Sequence, residues 1–166
     1  PSCLAGPPPT ATLFWRNRLS GFVATAPVPP ADDPADAIAN DGWFPPLSMG
    51  DTRNTVRLDG TVTDQRLRAA LVNAMMDVNR QLRSFKAERI ALGQASLEAA
   101  SVSELIDGKP RLVLLYLRAV MCSAKADLTE RYRDFDADAA NPRLKDGEPS
   151  IDEQRRNAQW AVRDIL

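Results

Sequence analysis

The residues best suited to chemistry in this chain are its clustered carboxylates. Asp134, Asp136 and Asp138 alternate as the first ligands of a calcium loop do. Such a loop also needs Gly at its sixth position for the sharp turn and a bidentate Glu at its twelfth. Those positions hold Ala139 and Lys145, so the run reads as a helix end with solvated acids. Asp152 and Glu153 occupy a helix start, where unpaired backbone N–H groups favour negative charge. Asp127 and Glu130 with Arg131 and Arg133 fit surface pairs at helical spacing. The chain has no histidine, which removes the commonest general base and the commonest metal ligand together. Cys3 and Cys122 stand too far apart for metal spacing or a disulfide framework, and Cys122 is expected as a small buried residue. Neither a P-loop phosphate cradle nor a GxSxG elbow is present. The sequence assigns no catalytic, cofactor-binding or metal-ligating residue, and an enzyme is not expected.

Charge narrows the partners. The 166 residues carry a net charge of −1. Residues 1–57 hold four basic and five acidic side chains, 58–109 seven of each, and 110–166 ten of each. No region has the basic excess of a phosphate-binding surface. No apolar run is long enough for a membrane span, and no basic-then-apolar secretion signal opens the chain. The expected setting is reducing cytoplasm or a particle assembled there, with the length of one domain.

The elements follow from apolar spacing. Pro110 to Phe135 opens with six apolar residues, Leu112 to Leu117, then places Val120, Met121, Ala124, Leu128, Tyr132 and Phe135 at intervals of three and four. That spacing predicts a helix, about 39 Å long at the usual rise, apolar enough at its start to be covered on most sides. Asp107-Gly108 ahead of it reads as a turn. A second helix is expected from Thr63, its N-cap, to Gly93, its C-terminal cap, with Leu67, Leu71, Ala74, Met75, Val78, Leu82 and Phe85 on one side, extended less firmly to Ile90. Ser101 to Glu104 suggests one capped turn between the two. Ser150 to Glu153 is a capping box opening a last helix with Ile151, Ala158, Ala161, Val162 and Ile165 on its inner side, and Trp160 as an anchor onto the helix pair. The expected fold is all-α: a small bundle of two long antiparallel helices plus a C-terminal helix. Two long helices and a linker of about 15 residues do not make a helix-turn-helix, which joins short helices by three or four.

Ten of the thirteen prolines fall in the first 50 residues. Proline fixes φ and removes a backbone donor, so this segment suits neither a helix interior nor a central strand. The expected organisation is an extended Pro-rich N-terminal arm over 1–57 and a helical domain over 58–166, with Met49 to Val62 a charged, Thr-rich joint. Phe14, Trp15, Trp43, Phe44 and Leu47 are the arm's apolar anchors. Trp43 and Phe44 lead, because buried aromatics dominate interface energetics. Packing of Trp43 onto its own helix pair is the competing reading.

The order of residue blocks adds a resemblance. Asn40-Asp41-Gly42-Trp43-Phe44-Pro45-Pro46, Val56 to Thr63 running into Arg66-Leu67-Arg68, Ile106-Asp107-Gly108, Leu115 to Val120, Ala124 to Arg133, Ser150-Ile151-Asp152 and Trp160 to Ile165 resemble the head completion proteins (GPL family) of tailed phages related to P2. The resemblance covers about residues 20 to 166. It implies a structural virion protein added to the DNA-filled head at the portal vertex, assembled in the bacterial host cytoplasm and placed in the neck or connector region. Implied partners are the portal protein, about twelve copies of the chain in a ring, a tail-side terminator or neck protein, and packaged DNA in the channel. No membrane and no cofactor are implied. Arg66, Arg118 and Arg133 become candidates to face the portal or the channel. The alternative is a transient helical assembly or scaffolding factor that does not stay in the virion.

Overall fold

The computed structural model describes residues 36–56, 58, 62–136 and 150–166, all within one compact unit. Side chains beyond Arg131 in the long central helix are outside the described residues. In chain order the elements are β1 (Ala37–Ile38), β2 (Leu47–Ser48), α1 (Met49–Val56), α2 (Asp64–Gln81), α3 (Arg83–Ala91), β3 (Leu105–Ile106), β4 (Lys109–Pro110), α4 (Arg111–Asp136) and α5 (Ile151–Arg163), with a 3₁₀ turn at Ala99–Ser101. The fold is mostly helical, with two short antiparallel ladders: β1 with β2, Ile38 opposite Leu47, and β3 with β4, Leu105 opposite Pro110.

Helix α4 is central and packs against both α2 and α5. Leu112, Tyr116, Ala119, Val120, Ala124 and Leu128 line its core side, while Val113, Leu115 and Leu117 are only partly covered. The run Leu112 to Leu117 is therefore less enclosed than expected. From α2 and α3 come the predicted Leu67, Leu71, Ala74, Met75, Val78, Leu82 and Phe85, and from α5 come Ala161, Val162 and Ile165. The helix expected over residues 63–93 is divided at Leu82, although Leu82 N still reaches Val78 O and Lys86 N reaches Leu82 O. Ile90 and Trp160 lie outside the core, at 51% and 44% exposure. Trp160 sits at the edge of the α5 stripe, and the Arg156 guanidinium lies 5.1 Å from its ring centre. The expected anchoring of Trp160 on the helix pair does not hold.

The ends of the elements follow local chemistry. Ser150 accepts from Glu153 N while the Glu153 carboxylate accepts from Ser150 N, the reciprocal capping box. Gly93, at φ 82°, lets Gly93 N reach Ile90 O and Gln94 N reach Arg89 O, a Schellman end that an L side chain would strain. Asp107 and Gly108, at φ 51° and 70°, form the two-residue turn joining β3 to β4. Two positive φ angles match the right-handed twist of the flanking strands. Thr63 stands at the N-cap of α2, but its side chain makes no capping bond.

The segment from 36 to 56 differs from the extended arm and joint expected there. Ser48 caps α1 by accepting from Asp51 N, and the Asp36 carboxylate accepts from Gly50 N at 2.7 Å. Asp36 O takes Met49 N as well, so three orphan donors of the first turn are satisfied. Thr52, fully buried, donates back to Ser48 O at 2.7 Å. The segment folds because its prolines stand at Pro45 and Pro46, in the loop between β1 and β2, where no ladder donor is needed. Phe14, Trp15, the Asp59-Gly60 turn and Asp138 lie outside the described residues.

Candidate functional site

The loop from Asn40 to Pro46 is held by hydrogen bonds within itself and to α2, α3 and α4. Asp41 organises it: Oδ1 accepts from Trp43 N at 3.0 Å and Phe44 N at 3.1 Å, while Oδ2 accepts from Lys86 Nζ at 2.6 Å. Partial burial pushes the Asp41 carboxyl up, but the Lys86 ammonium and the two backbone donors outweigh it and hold the group below its usual range. Gly42, at φ 85°, supplies the reversal that turns Trp43 and Phe44 inward.

Asn40 fastens the loop to both long helices. Its Nδ2 donates to Pro45 O and to Tyr116 Oη at 2.8 Å, and its Oδ1 accepts from Asn79 Nδ2 at 2.9 Å. Tyr116 Oη donates in turn to Asn79 Oδ1 at 2.7 Å. The result is a closed polar triangle of Asn40, Asn79 and Tyr116 spanning loop, α2 and α4. Burial pushes the Tyr116 phenol far above its usual range, so it remains a neutral donor at any physiological pH.

Aromatic packing covers this triangle. The Phe44 ring stacks on Tyr116 at 4.8 Å, the Trp43 ring meets Phe44 edge-on at 4.8 Å, and Phe85 lies 6.4 Å from Trp43. Trp43 Nε1 donates to Gln94 O and Trp43 O accepts from Leu97 N. Lys86 Nζ stands 5.9 Å from the Trp43 ring and 5.6 Å from the Phe44 ring, adding a cation–π attraction to its ion pair. Trp43, Phe44 and Leu47 are 2–5% exposed. Their apolar area is taken up within the subunit, which leaves no surface for anchoring a neighbour and corrects the anchor role expected for these three. The physical reason is the Asp41 turn, which aims both rings at α2, α3 and α4.

Of the three arginines, Arg66 lies on α2 and Arg118 and Arg133 lie on α4. Arg66 and Arg68 lie exposed on α2, where Arg68 Nη2 donates to Ala37 O at 3.2 Å. Arg118 is exposed on α4, bonded to Asn157 Oδ1 at 3.4 Å. Arg133 lies within α4, its side chain outside the described residues. Lys125, which sequence reading missed, is 8% exposed and donates to Val56 O at 2.6 Å, capping the C-terminal end of α1 where a cation is favoured. Its position three to four residues from Met121 and Leu128 put it on an apolar face, the one signal available. Cys122 is half-buried one turn before Lys125 on the same side of α4; burial pushes its thiol up, and Arg118 and Lys125 only partly offset that. Among the described residues no group of acids and cysteines is arranged to hold a metal ion, and no helix is long and apolar enough to cross a membrane.

The loop and its partners fall within the part of the chain shared with known proteins. The family model of phage head completion protein (GPL) matches residues 38–166. The head completion/stabilization protein of Escherichia phage P2 is 36% identical over 137 residues, 82% of this chain and 79% of that protein. No solved structure matches. The Asn40–Pro46 loop, the polar triangle and all helices lie inside the matched span, and the chain belongs to the phage head completion protein (GPL) family.

Proposed function

We propose that the chain is a structural virion protein that completes the phage head by binding the portal and assembling into a connector ring for tail attachment. The observation that carries this reading is the match, across most of both chains, to a protein described as completing and stabilising the head. Exposed apolar side chains support it. Val72 and Met76 on α2 and Val102, Leu105 and Ile106 near the β3–β4 hairpin are 38–65% exposed, more large apolar residues than an isolated subunit gains from presenting.

The rigid unit behind those surfaces is α2 and α4, read as an antiparallel pair. Asn79, near the end of α2, meets Tyr116 near the start of α4. Lys125, further along α4, reaches Val56, ahead of α2. The Pro-rich segment before residue 36, with Phe14 and Trp15, is proposed as the arm that reaches a neighbouring subunit or the portal, and Arg66, Arg118 and Arg133 as portal- or channel-facing. The neck of the virion is the corresponding location, and the tail-side neck protein the further partner.

The test is the mass of the purified protein alone and mixed with the portal of its own phage. A fixed-ratio ring formed on the portal is the expected result. A chain that ignores the portal and is absent from purified virions would instead be a transient assembly factor.

A further inference from the structure

We infer that the free outer edge of the β3–β4 hairpin is a pairing surface for a second copy of this chain. The hairpin's own hydrogen bonds fix which groups that edge presents. Ile106 stands opposite Lys109 and Leu105 opposite Pro110, and Arg111 N donates to Glu104 O at 2.8 Å. Bonded and non-bonded pairs alternate along an antiparallel ladder. Glu104 and Arg111 are a bonded pair, so Leu105 and Pro110 are a non-bonded one, as a proline without an N–H requires. The N–H and C=O of Leu105 therefore point away from β4, and neither bonds to a described residue.

A second copy matches this edge on three counts. The main chain is the first: one outward donor and one outward acceptor on a single residue are self-complementary. Leu105 and the partner's Leu105, related by a two-fold axis, exchange both bonds. Apolar surface is the second. Leu105 and Ile106 are 59% and 55% exposed. A two-stranded ladder is marginal alone, and pairing two of them makes one sheet of four strands. Its one face lines up Pro110, Leu105, the partner's Leu105 and the partner's Pro110. Charge is the third. On the other face Glu104 falls opposite the partner's Ile106, which the partner's Lys109 flanks. Strands lie about 4.8 Å apart, so Glu104 and the partner's Lys109 are about 10 Å apart at the backbone, within reach of their side chains. Lys109 forms no ion pair with a described residue. No like charges stand directly opposite, since Asp107 faces the partner's Ser103.

An extended segment of another protein would meet the two Leu105 groups equally well. Only the hairpin itself also brings an apolar residue opposite Leu105 and a cation into the row of Glu104. A two-fold contact closes on itself, so it joins two free chains and does not build a ring. The inference therefore rests on neither the portal nor the ring.

The experiment is sedimentation of the full chain from micromolar to millimolar concentration, with exchange of the Leu105 amide followed by NMR over the same range. A monomer–dimer equilibrium is expected, with Leu105 exchange slowing as the dimer fills. Leu105→Pro removes the outward donor at an edge position, where proline is accepted. It should weaken the dimer about tenfold or more, since two hydrogen bonds are lost from each pair. The Arg111 amide, which bonds within the hairpin, should exchange as in the parent. Ile106→Asp and Ile106→Lys, both at an exposed position, lose the same apolar contact and differ in charge. The new carboxylate would stand opposite the partner's Glu104, so the Asp variant should pair more weakly than the Lys variant. A chain that stays monomeric at millimolar concentration overturns the inference and leaves the edge to a strand of another protein. Self-association in which Leu105 exchange does not slow also overturns it, as does equal pairing by the two Ile106 variants.

Discussion

Replacing Trp43 separates a core residue from a partner anchor. In this fold the indole is 5% exposed, meets Phe44 and Phe85, and donates to Gln94 O. Trp43→Ala removes the ring and leaves a cavity bounded by α3 and the Leu97 loop, at a cost of about 3–5 kcal/mol. Trp43→Phe keeps most of the ring and loses the hydrogen bond, about 1 kcal/mol, plus a smaller loss of buried area, so about 1–2 kcal/mol in all. A domain of this size is stable by about 5–15 kcal/mol, so the alanine variant stays folded in most of that range but visibly weakened. Urea unfolding followed by far-UV circular dichroism is the assay. Both variants should lower the midpoint in the order Ala below Phe below the parent, with slopes unchanged because the folded state stays as compact. If Trp43→Ala costs less than about 1 kcal/mol, well below the cavity range, and yet the variant no longer completes heads, the burial argument is refuted and the anchor reading returns.

Other expectations follow from the same loop and from the helix ends. Asp41→Asn should destabilise at neutral pH through loss of the Lys86 pair. Because the folded carboxyl is held below its usual value, its contribution is present above the unfolded pKa of about 3.9 and is lost as pH falls through the folded value. Unfolding curves of parent and variant should therefore converge in acid and stay apart at neutral pH; a gap that widens in acid would contradict the assignment. Tyr116→Phe removes a donor to Asn79 and an acceptor for Asn40, and should cost about 1–2 kcal/mol. That deficit should be the same at mildly acidic and mildly alkaline pH, since the phenol does not ionise there. Ser150→Ala breaks the capping box and should cost about 1 kcal/mol, with exchange of the first α5 amides accelerated in hydrogen-exchange measurements.

Local chemistry in the sequence decided the elements. The apolar spacing of α2 and α4, the Gly93 end, the Asp107-Gly108 turn and the Ser150–Glu153 box each depend on residues within about one helical turn of one another, and all appear in the structure where the sequence puts them. The Ser48 cap of α1 belongs to the same class: Ser48 with Asp51 three residues on was a legible start signal in a stretch read as a joint.

What only the tertiary structure decided are the contacts between residues far apart in the chain. Asn40 meets Tyr116 across 76 positions, and Lys125 meets Val56 across 69. Periodicity says which face of a helix is apolar, but carries no information about which distant segment that face will meet. So Trp43 and Phe44 read as aromatics on a Pro-rich arm, although the Asp41 turn directs them into the core. Trp160 read as an anchor, although its place at the stripe's edge and its contact with Arg156 leave it outside. Gln154 carried no reading in the sequence, and its burial beside Met121 and Arg118 exists only once α5 lies along α4.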